Sequence, residues 1–167
     1  MCRRRHRKKF LAADAKEQRS QRKYLVYLGR HLAVYAVRNK KRMNENDIAT
    51  LDLDICFKIH RQYGPGLFES VYEEVFCHEW TKTGIPFKRQ QGIPLVHEEI
   101  KMDIGFRADL ILNDKVIVEF KSVEALADLH FKQVLTYLKL TNLKLGLLIN
   151  FNVILLKDGI KRIANKL

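Results

Sequence analysis

Two neighbouring stretches of the chain alternate between apolar and polar positions. In residues 106–112 and 115–121 the even positions hold Phe106, Ala108, Leu110, Leu112, Val116, Val118 and Phe120. The odd positions hold Arg107, Asp109, Glu119 and Lys121, with Ile111 and Ile117 among them. Period-two alternation predicts a strand in each stretch, and Asn113-Asp114 between them is turn chemistry, so the two form a hairpin. Opposed residues of an antiparallel pair share a face, so an apolar even face on both strands requires paired numbers with an even sum. Leu112 opposite Val116 meets that condition. It leaves a three-residue loop, Asn113 to Lys115, and sets Asp109 opposite Glu119 and Arg107 opposite Lys121.

Helical spacing marks three other segments. The first is capped by Asn46 or Asp47, carries Ile48, Leu51, Ile55 and Ile59 on one face, and must end at Gly64-Pro65-Gly66. The second runs from about Leu67 to Thr83, is closed by Gly84, and turns Leu67, Val71, Val75 and Phe76 inward. The third runs from about Val123 to Leu140 with Ser122 as its cap and Leu126, Leu129, Val134 and Leu138 as its apolar members. His130, Gln133 and Tyr137 form a polar and aromatic stripe beside that apolar face. Pro86 to His97 reads as one or two strands interrupted at Gly92 and Pro94. Lys144 to Phe151 is an apolar run with little alternation, as in a strand covered on both faces, and should lie parallel to the 115–121 strand. The tail turns at Asp158-Gly159 and adds a last strand or helix. Helices and strands in this order predict an α/β domain with a mixed sheet.

Composition narrows the setting. A chain of 167 residues can bury one sizeable core. No apolar run approaches the ~20 residues of a membrane span. Three unpatterned cysteines, Cys2, Cys56 and Cys77, argue against a disulfide framework and for a reducing cytoplasm. Cys56 with His60, and Cys77 with His78, are weak soft-metal candidates beside the ordinary reading of buried thiols and surface histidines. The net charge of +12 is unevenly placed. Residues 1–42 contain 15 Lys+Arg and 2 Asp+Glu, a balance of +13, whereas residues 43–167 contain 16 and 17, a balance of −1. In the basic segment Tyr24, Leu28, Leu32 (or His31) and Tyr35 recur at helical spacing. Two readings of residues 1–42 stay open: a segment foreign to the natural protein, whose start would then be Met43, or a nucleic-acid-binding tail.

The hairpin's polar face carries the chemistry. Adjacent carboxylates repel each other unless a cation lies between them, and hard oxygen ligands on rigid strands suit Mg²⁺ or Mn²⁺. Asp109, with Glu119-x-Lys121 ten residues further on, resembles the core of the PD-(D/E)XK nuclease superfamily. Ala108 stands where the name of that superfamily has proline. Gly66-Leu67-Phe68-Glu69-Ser70-Val71-Tyr72 is similar to the signature of the GxxExxY protein family, a bacterial branch of the same superfamily. The resemblance runs from about Asn44 to Leu167 and takes in Gly64-Pro65-Gly66, Gln133-Val134-Leu135-Thr136-Tyr137 and Gly146-Leu147-Leu148-Ile149-Asn150-Phe151.

The resemblance implies a restriction-endonuclease-like α-β-β-β-α-β core over residues 43–167 and metal-dependent phosphodiester hydrolysis. It implies Mg²⁺ or Mn²⁺ held by Asp109, Glu119 and the Phe120 carbonyl, with Glu69 contributing directly or through water. Lys121 would act on the attacking water or on developing charge, and Gln133 and Tyr137 would orient the site and contact DNA. His130 is a weaker candidate on the same stripe. Taken by itself, Glu69 in the first turn of its helix also suits the helix dipole. The expected partner is nucleic acid, DNA ahead of RNA, with a protein partner or a second copy of the chain as further candidates, and no membrane. The competing expectation is a catalytically silent binding module on a nuclease fold, because a fold does not confer a function.

Overall fold

The computed structural model describes residues 43–166, so the expectations for residues 1–42 lie outside the described residues. The elements in chain order are α1 (Glu45–Tyr63), α2 (Glu69–Thr81), β1 (Phe87–His97), β2 (Ile100–Leu112), β3 (Val116–Lys121), α3 (Asp128–Thr141), β4 (Leu145–Asn150), α4 (Leu156–Gly159) and β5 (Ile160–Ala164). The five strands form one mixed sheet in the order β1-β2-β3-β4-β5. Only β3 and β4 are parallel; the other neighbours are antiparallel. Each face of the sheet is covered by helices.

The hairpin register follows alternation for three rungs, but the expected pairs Asp109–Glu119 and Arg107–Lys121 lie outside it, because the β2–β3 ladder stops at Leu110 and Val118 and Arg107 pairs with Gly92 of β1. Leu112 pairs with Val116, Ile111 with Ile117 and Leu110 with Val118. Asn113 and Asp114 take φ values of 51° and 53°, the left-handed region in which Asn and Asp are the most tolerant side chains after glycine. Leu110, Leu112, Val116, Val118 and Phe120 meet Ile48, Ile55 and Ile59 of α1 and Tyr72, Phe76 and Trp80 of α2 in one core. Ile111, Ile117 and Leu148 meet Val134, Tyr137 and Leu138 of α3 in a second core on the opposite face. Phe106 and Ala108 depart from simple alternation and join this second core. The change comes at Gln90, opposite Asp109, where β1 enters the left-handed region (φ 49°). Beyond that point β1 and β2 run past the end of β3 as a two-stranded ribbon, where twist is greatest.

The helix boundaries differ from the sequence expectation for identifiable reasons. Asn44, rather than Asn46 or Asp47, caps α1: its side chain accepts from the Asp47 N–H at 3.0 Å, and the Asp47 carboxylate accepts from the Asn44 N–H at 2.9 Å. In α2 the inward stripe is Tyr72, Phe76 and Trp80, with Cys77 and Glu73, while Val71 is exposed and Leu67 and Val75 are only partly buried. The aromatic stripe removes more apolar area from water, and Tyr72 stacks on Phe151 with ring centroids 4.2 Å apart. β1 is a single strand whose register shifts between Ile93 and Leu95, at Pro94, which has no N–H to donate.

The third helix begins at Asp128, five residues later than expected from Val123, and Ser122 is not its cap. The intervening segment is committed elsewhere. The Ser122 N–H donates to Glu69, the Ser122 hydroxyl donates to the Leu67 carbonyl, and both backbone groups of Val123 bond the Asn150 side chain. Leu129 is therefore exposed rather than packed. β4 is buried at every position, as expected of a strand covered on both sides.

Candidate active site

The β2–β3 ladder ends at Leu110 and Val118, and Asp109 and Glu119 lie just past its last rung. Each carboxylate reaches the backbone of the other strand. The Phe120 N–H donates to Asp109 Oδ2 at 2.9 Å, and the Asp109 N–H approaches Glu119 Oε2 at 3.5 Å. Lys121 Nζ lies 3.0 Å from Glu119 Oε1, and both side chains are largely buried. Alternation places Glu119 and Lys121 on one side of β3, and the parting of the strands leaves room for the two acids between them.

Helix α2 enters the same region. Glu69 is its first residue, and its Oε1 accepts the Ser122 N–H at 2.9 Å, directly after Lys121. Glu73, one turn further along α2, was not among the residues singled out from the sequence. It is buried and pairs with Arg89, and Gln90 Nε2 donates both to Glu73 Oε2 at 2.8 Å and to Asp109 Oδ1 at 3.2 Å. The signal available was the i, i+4 spacing of Glu69 and Glu73, which puts both acids on one side of a helix. On α3, Gln133 Nε2 donates to the Tyr137 hydroxyl, and the Tyr137 ring lies 5.6 Å from that of Phe106. His130 is occupied locally, its Nδ1 accepting the Ala127 N–H at the start of α3.

Burial dominates the electrostatics. It raises the Asp109 pKa against the Phe120 N–H and the Lys121 charge, which favour the carboxylate. Burial, reinforced by repulsion from Asp109, pushes Glu119 up to about 7 despite its bond to Lys121. For Lys121, burial acts to lower the pKa, but the carboxylates of Glu119, Asp109 and Glu69 outweigh it and hold the ammonium above its ordinary value. Tyr137 is raised by burial, against its bond from Gln133.

Among the described residues no three His, Cys, Asp or Glu side chains converge into a closed metal-binding set. Two carboxylates on adjacent strands nonetheless fit a hard divalent cation. Mg²⁺ keeps several of its waters and takes only one or two protein carboxylates when substrate phosphate supplies the rest. The repulsion that raises Glu119 is what a cation between the two acids would relieve.

Beside the geometry stands a family comparison. A family model of the PD-(D/E)XK nuclease superfamily matches residues 46–163, more than half of the chain. The chain belongs to the PD-(D/E)XK nuclease superfamily. Comparison with curated proteins and with solved structures found no match. The mixed sheet between helices is consistent with the restriction-endonuclease-like fold of PD-(D/E)XK nucleases, and membership supports a nuclease-type function in general.

Other chemistry in this PD-(D/E)XK domain is less convergent. Burial raises the Cys56 thiol well above its usual value and takes Cys77 to about 11, which opposes the thiolate a soft metal needs. His60 Nε2 is bonded to the Val153 carbonyl at 2.8 Å. A cleft of about 430 Å³ between α1 and α2 is lined by Lys58, Glu74, His78 and Glu79 among others. Its acids are ion-paired, Glu74 with Arg89, which Glu73 shares, and Glu79 with Lys58 and Lys82. Among the described residues no helix is long and apolar enough to cross a membrane.

Proposed function

We propose that the domain is a Mg²⁺- or Mn²⁺-dependent phosphodiester hydrolase of the GxxExxY branch, acting on nucleic acid, DNA ahead of RNA, in the bacterial cytoplasm. The observation that carries this reading is the contact of Asp109, Glu119 and Lys121 at the point where β2 and β3 part. Asp109 and Glu119 hold the cation, joined by the Phe120 carbonyl and by Glu69 directly or through water. Bound there, a divalent ion supplies a polarised phosphoryl oxygen and a water of lowered pKa.

Lys121 acts by charge. A lysine is ordinarily protonated at neutral pH, so the Lys121 ammonium stabilises charge developing on the phosphoryl oxygens rather than removing a proton. Gln133 and Tyr137 form a bonded pair on the α3 side that orients the substrate strand. Ser122 locks the start of α2 to the end of β3, which keeps Glu69 in reach of the acids.

The competing reading, a silent binding module, draws on the −1 balance of residues 43–167, because a duplex binder ordinarily neutralises several phosphates. Purified protein incubated with single- and double-stranded DNA and RNA, with Mg²⁺, Mn²⁺ or EDTA, separates the two. Cleavage that needs the metal and is lost in Lys121→Ala is the expected result; binding without cleavage under every condition supports the silent module.

A further inference from the structure

We propose that Gln90 is a positioning residue for the metal site, its carboxamide clamping the Asp109 carboxylate to the ion pair of Glu73 and Arg89. The proposal rests on the reading of Asp109 and Glu119 as cation ligands. Arg89 pairs with Leu110 and Gln91 with Ala108, so Gln90 of β1 stands opposite Asp109. Successive side chains of a strand point to opposite faces. Arg89 and Gln90 nonetheless both reach Glu73, one through Nε and the other through Nε2. The left-handed φ of 49° at Gln90 interrupts the alternation and lets neighbouring side chains meet one carboxylate. Few residues other than glycine adopt that region, and glutamine is not among those enriched there. Such conformations persist where the surroundings enforce them, and they cluster at functional sites.

The hydrogen bonds show what this conformation achieves. The amide nitrogen of a glutamine carries two donors. One goes to Glu73 Oε2 at 2.8 Å and the other to Asp109 Oδ1 at 3.2 Å. Glu73 is buried, and its Oε1 accepts from Arg89 Nε, so both of its oxygens are bonded. It serves as the anchor of the clamp. Asp109 is likewise held at both oxygens, Oδ1 by the side chain of Gln90 on β1 and Oδ2 by the backbone N–H of Phe120 on β3. Two bonds from the strands on either side fix the plane of the carboxylate. An ionised carboxylate has about four acceptor positions, so each oxygen keeps one for a cation after these bonds are made. A ligand oriented in advance by an outer partner has less freedom to lose when metal binds.

The test separates metal affinity from folding. Mn²⁺ is titrated into the full chain and followed by its electron paramagnetic resonance signal, beside thermal melts in EDTA, for the wild type, Gln90→Met, Gln90→Gly and Gln91→Ala. Gln90→Met keeps the side-chain length and removes both donors, whereas Gln90→Gly removes the side chain and suits the positive φ. Gln91 donates to the adjacent Gly92 carbonyl, and its variant is the control for the strand. Both Gln90 variants should weaken Mn²⁺ binding by roughly 10- to 100-fold, the usual effect of losing a ligand's hydrogen-bond partner, and melt in EDTA close to the wild type. Gln91→Ala should bind Mn²⁺ as the wild type does. Cleavage by the Gln90 variants should return toward the wild-type maximal rate as Mn²⁺ is raised, because the ligands themselves are intact. Wild-type affinity in Gln90→Met or an equal loss in Gln91→Ala would overturn the proposal. So would normal affinity in Gln90→Gly, since the backbone turn alone would then matter. Any of these beside a wild type that binds Mn²⁺ leaves the metal-site reading standing without the clamp. A wild type that binds no Mn²⁺ removes the reading and the clamp together. A Gln90-dependent Mn²⁺ site on a protein that cuts no nucleic acid would support the clamp and the silent module.

Discussion

The backbone N–H of Phe120 donates to Asp109 Oδ2 at 2.9 Å, so the carboxylate of one strand occupies the hydrogen-bonding place that a carbonyl of that strand would fill if the ladder continued. The β2–β3 pairing stops there, and the acids that stop it are the candidate metal ligands. Asp109→Asn retains an oxygen for Phe120 and removes a charge next to Glu119. The metal-free variant should be as stable as the wild type or up to ~1 kcal/mol more so, as for relief of a like-charge cross-strand pair. It should also lose the rise in melting temperature that millimolar Mg²⁺ or Mn²⁺ gives the wild type by binding only the native state. Thermal melts with and without metal decide this. A wild type indifferent to metal, together with a destabilised Asp109→Asn, would falsify the metal-site reading.

Lys121→Ala should separate chemistry from binding. Its ammonium touches Glu119 and is not itself a metal ligand, so the metal-induced melting shift should persist while cleavage falls by ~10²–10³-fold, the loss typical of one preorganised electrostatic donor. Single-turnover cleavage rates at saturating metal provide the measure. A loss confined to KM would assign Lys121 to substrate binding instead.

Asp52 makes stability depend on pH in the direction opposite to acid denaturation. It is buried on α1, with neither carboxylate oxygen bonded to a partner among the described residues, and burial holds its pKa well above the usual carboxylate range. The unfolded chain keeps the ordinary value near ~3.9. The folded state therefore binds the proton more tightly. The stability this gives is full below the unfolded pKa and is lost as pH rises through the folded one. Urea titrations from pH 4 to 8 should show a decline that Asp52→Asn flattens, with the variant the more stable form at pH 8. Parallel curves would show that Asp52 does not titrate with folding.

The hairpin and β4 were legible because alternation and continuous burial are properties of side-chain order alone, and the register followed from parity. Asp109, Glu119 and Lys121 were legible for the same reason, being the charged members of an otherwise apolar pair of strands. Helical spacing phases α2 on Leu67, Val71, Val75 and Phe76; Phe76 is inward, but the fold turns Tyr72 and Trp80 in beside it rather than the three aliphatics, because what an aromatic stripe gains depends on Phe120 and Phe151 being present beside it. Ser122 had the sequence of a helix cap and the structure of a clasp. Its partners, Leu67 and Glu69, lie more than fifty residues earlier, and no local pattern encodes them. The i, i+4 spacing from Glu69 marks Glu73 as sharing its side of α2, but the link from Glu73 to Asp109 runs through Gln90 on a third element and has no local signal.

Gly159 and Gly146 test whether the frame around the site is rigid. A Cβ at Gly159 would stand 2.2 Å from the Asn150 carbonyl oxygen, and one at Gly146 2.5 Å from a methyl of Val134, which is branched at Cβ and cannot swing away freely. Each Gly→Ala change should destabilise by ~1–3 kcal/mol, the usual cost of overpacking. Gly159→Ala should do more to activity, because Asn150 holds both backbone groups of Val123 and so the segment leaving Lys121. Denaturant midpoints and cleavage rates of the two variants check the order. Equal activity at equal stability would uncouple the Asn150 bonds from the site.

Glu69 has two roles to separate, that of a ligand and that of the anchor for Ser122. Its Oε1 accepts the Ser122 N–H at 2.9 Å, a bond that Glu69→Gln preserves through the amide oxygen and Glu69→Ala abolishes. If the carboxylate serves only as the anchor, Gln should cleave like the wild type and Ala should lose about 1 kcal/mol of stability, the net worth of a partly exposed bond. If the second oxygen also draws in the cation or its water, Gln should fold normally, need a higher Mg²⁺ concentration for half-maximal cleavage, and show a smaller melting shift at fixed metal. The predicted result is the second, because Glu69 acts on the Lys121 ammonium together with Asp109 and Glu119, which places its charge within the same electrostatic cluster. A Gln variant whose metal titration overlays that of the wild type would reduce Glu69 to a clasp between α2 and the end of β3.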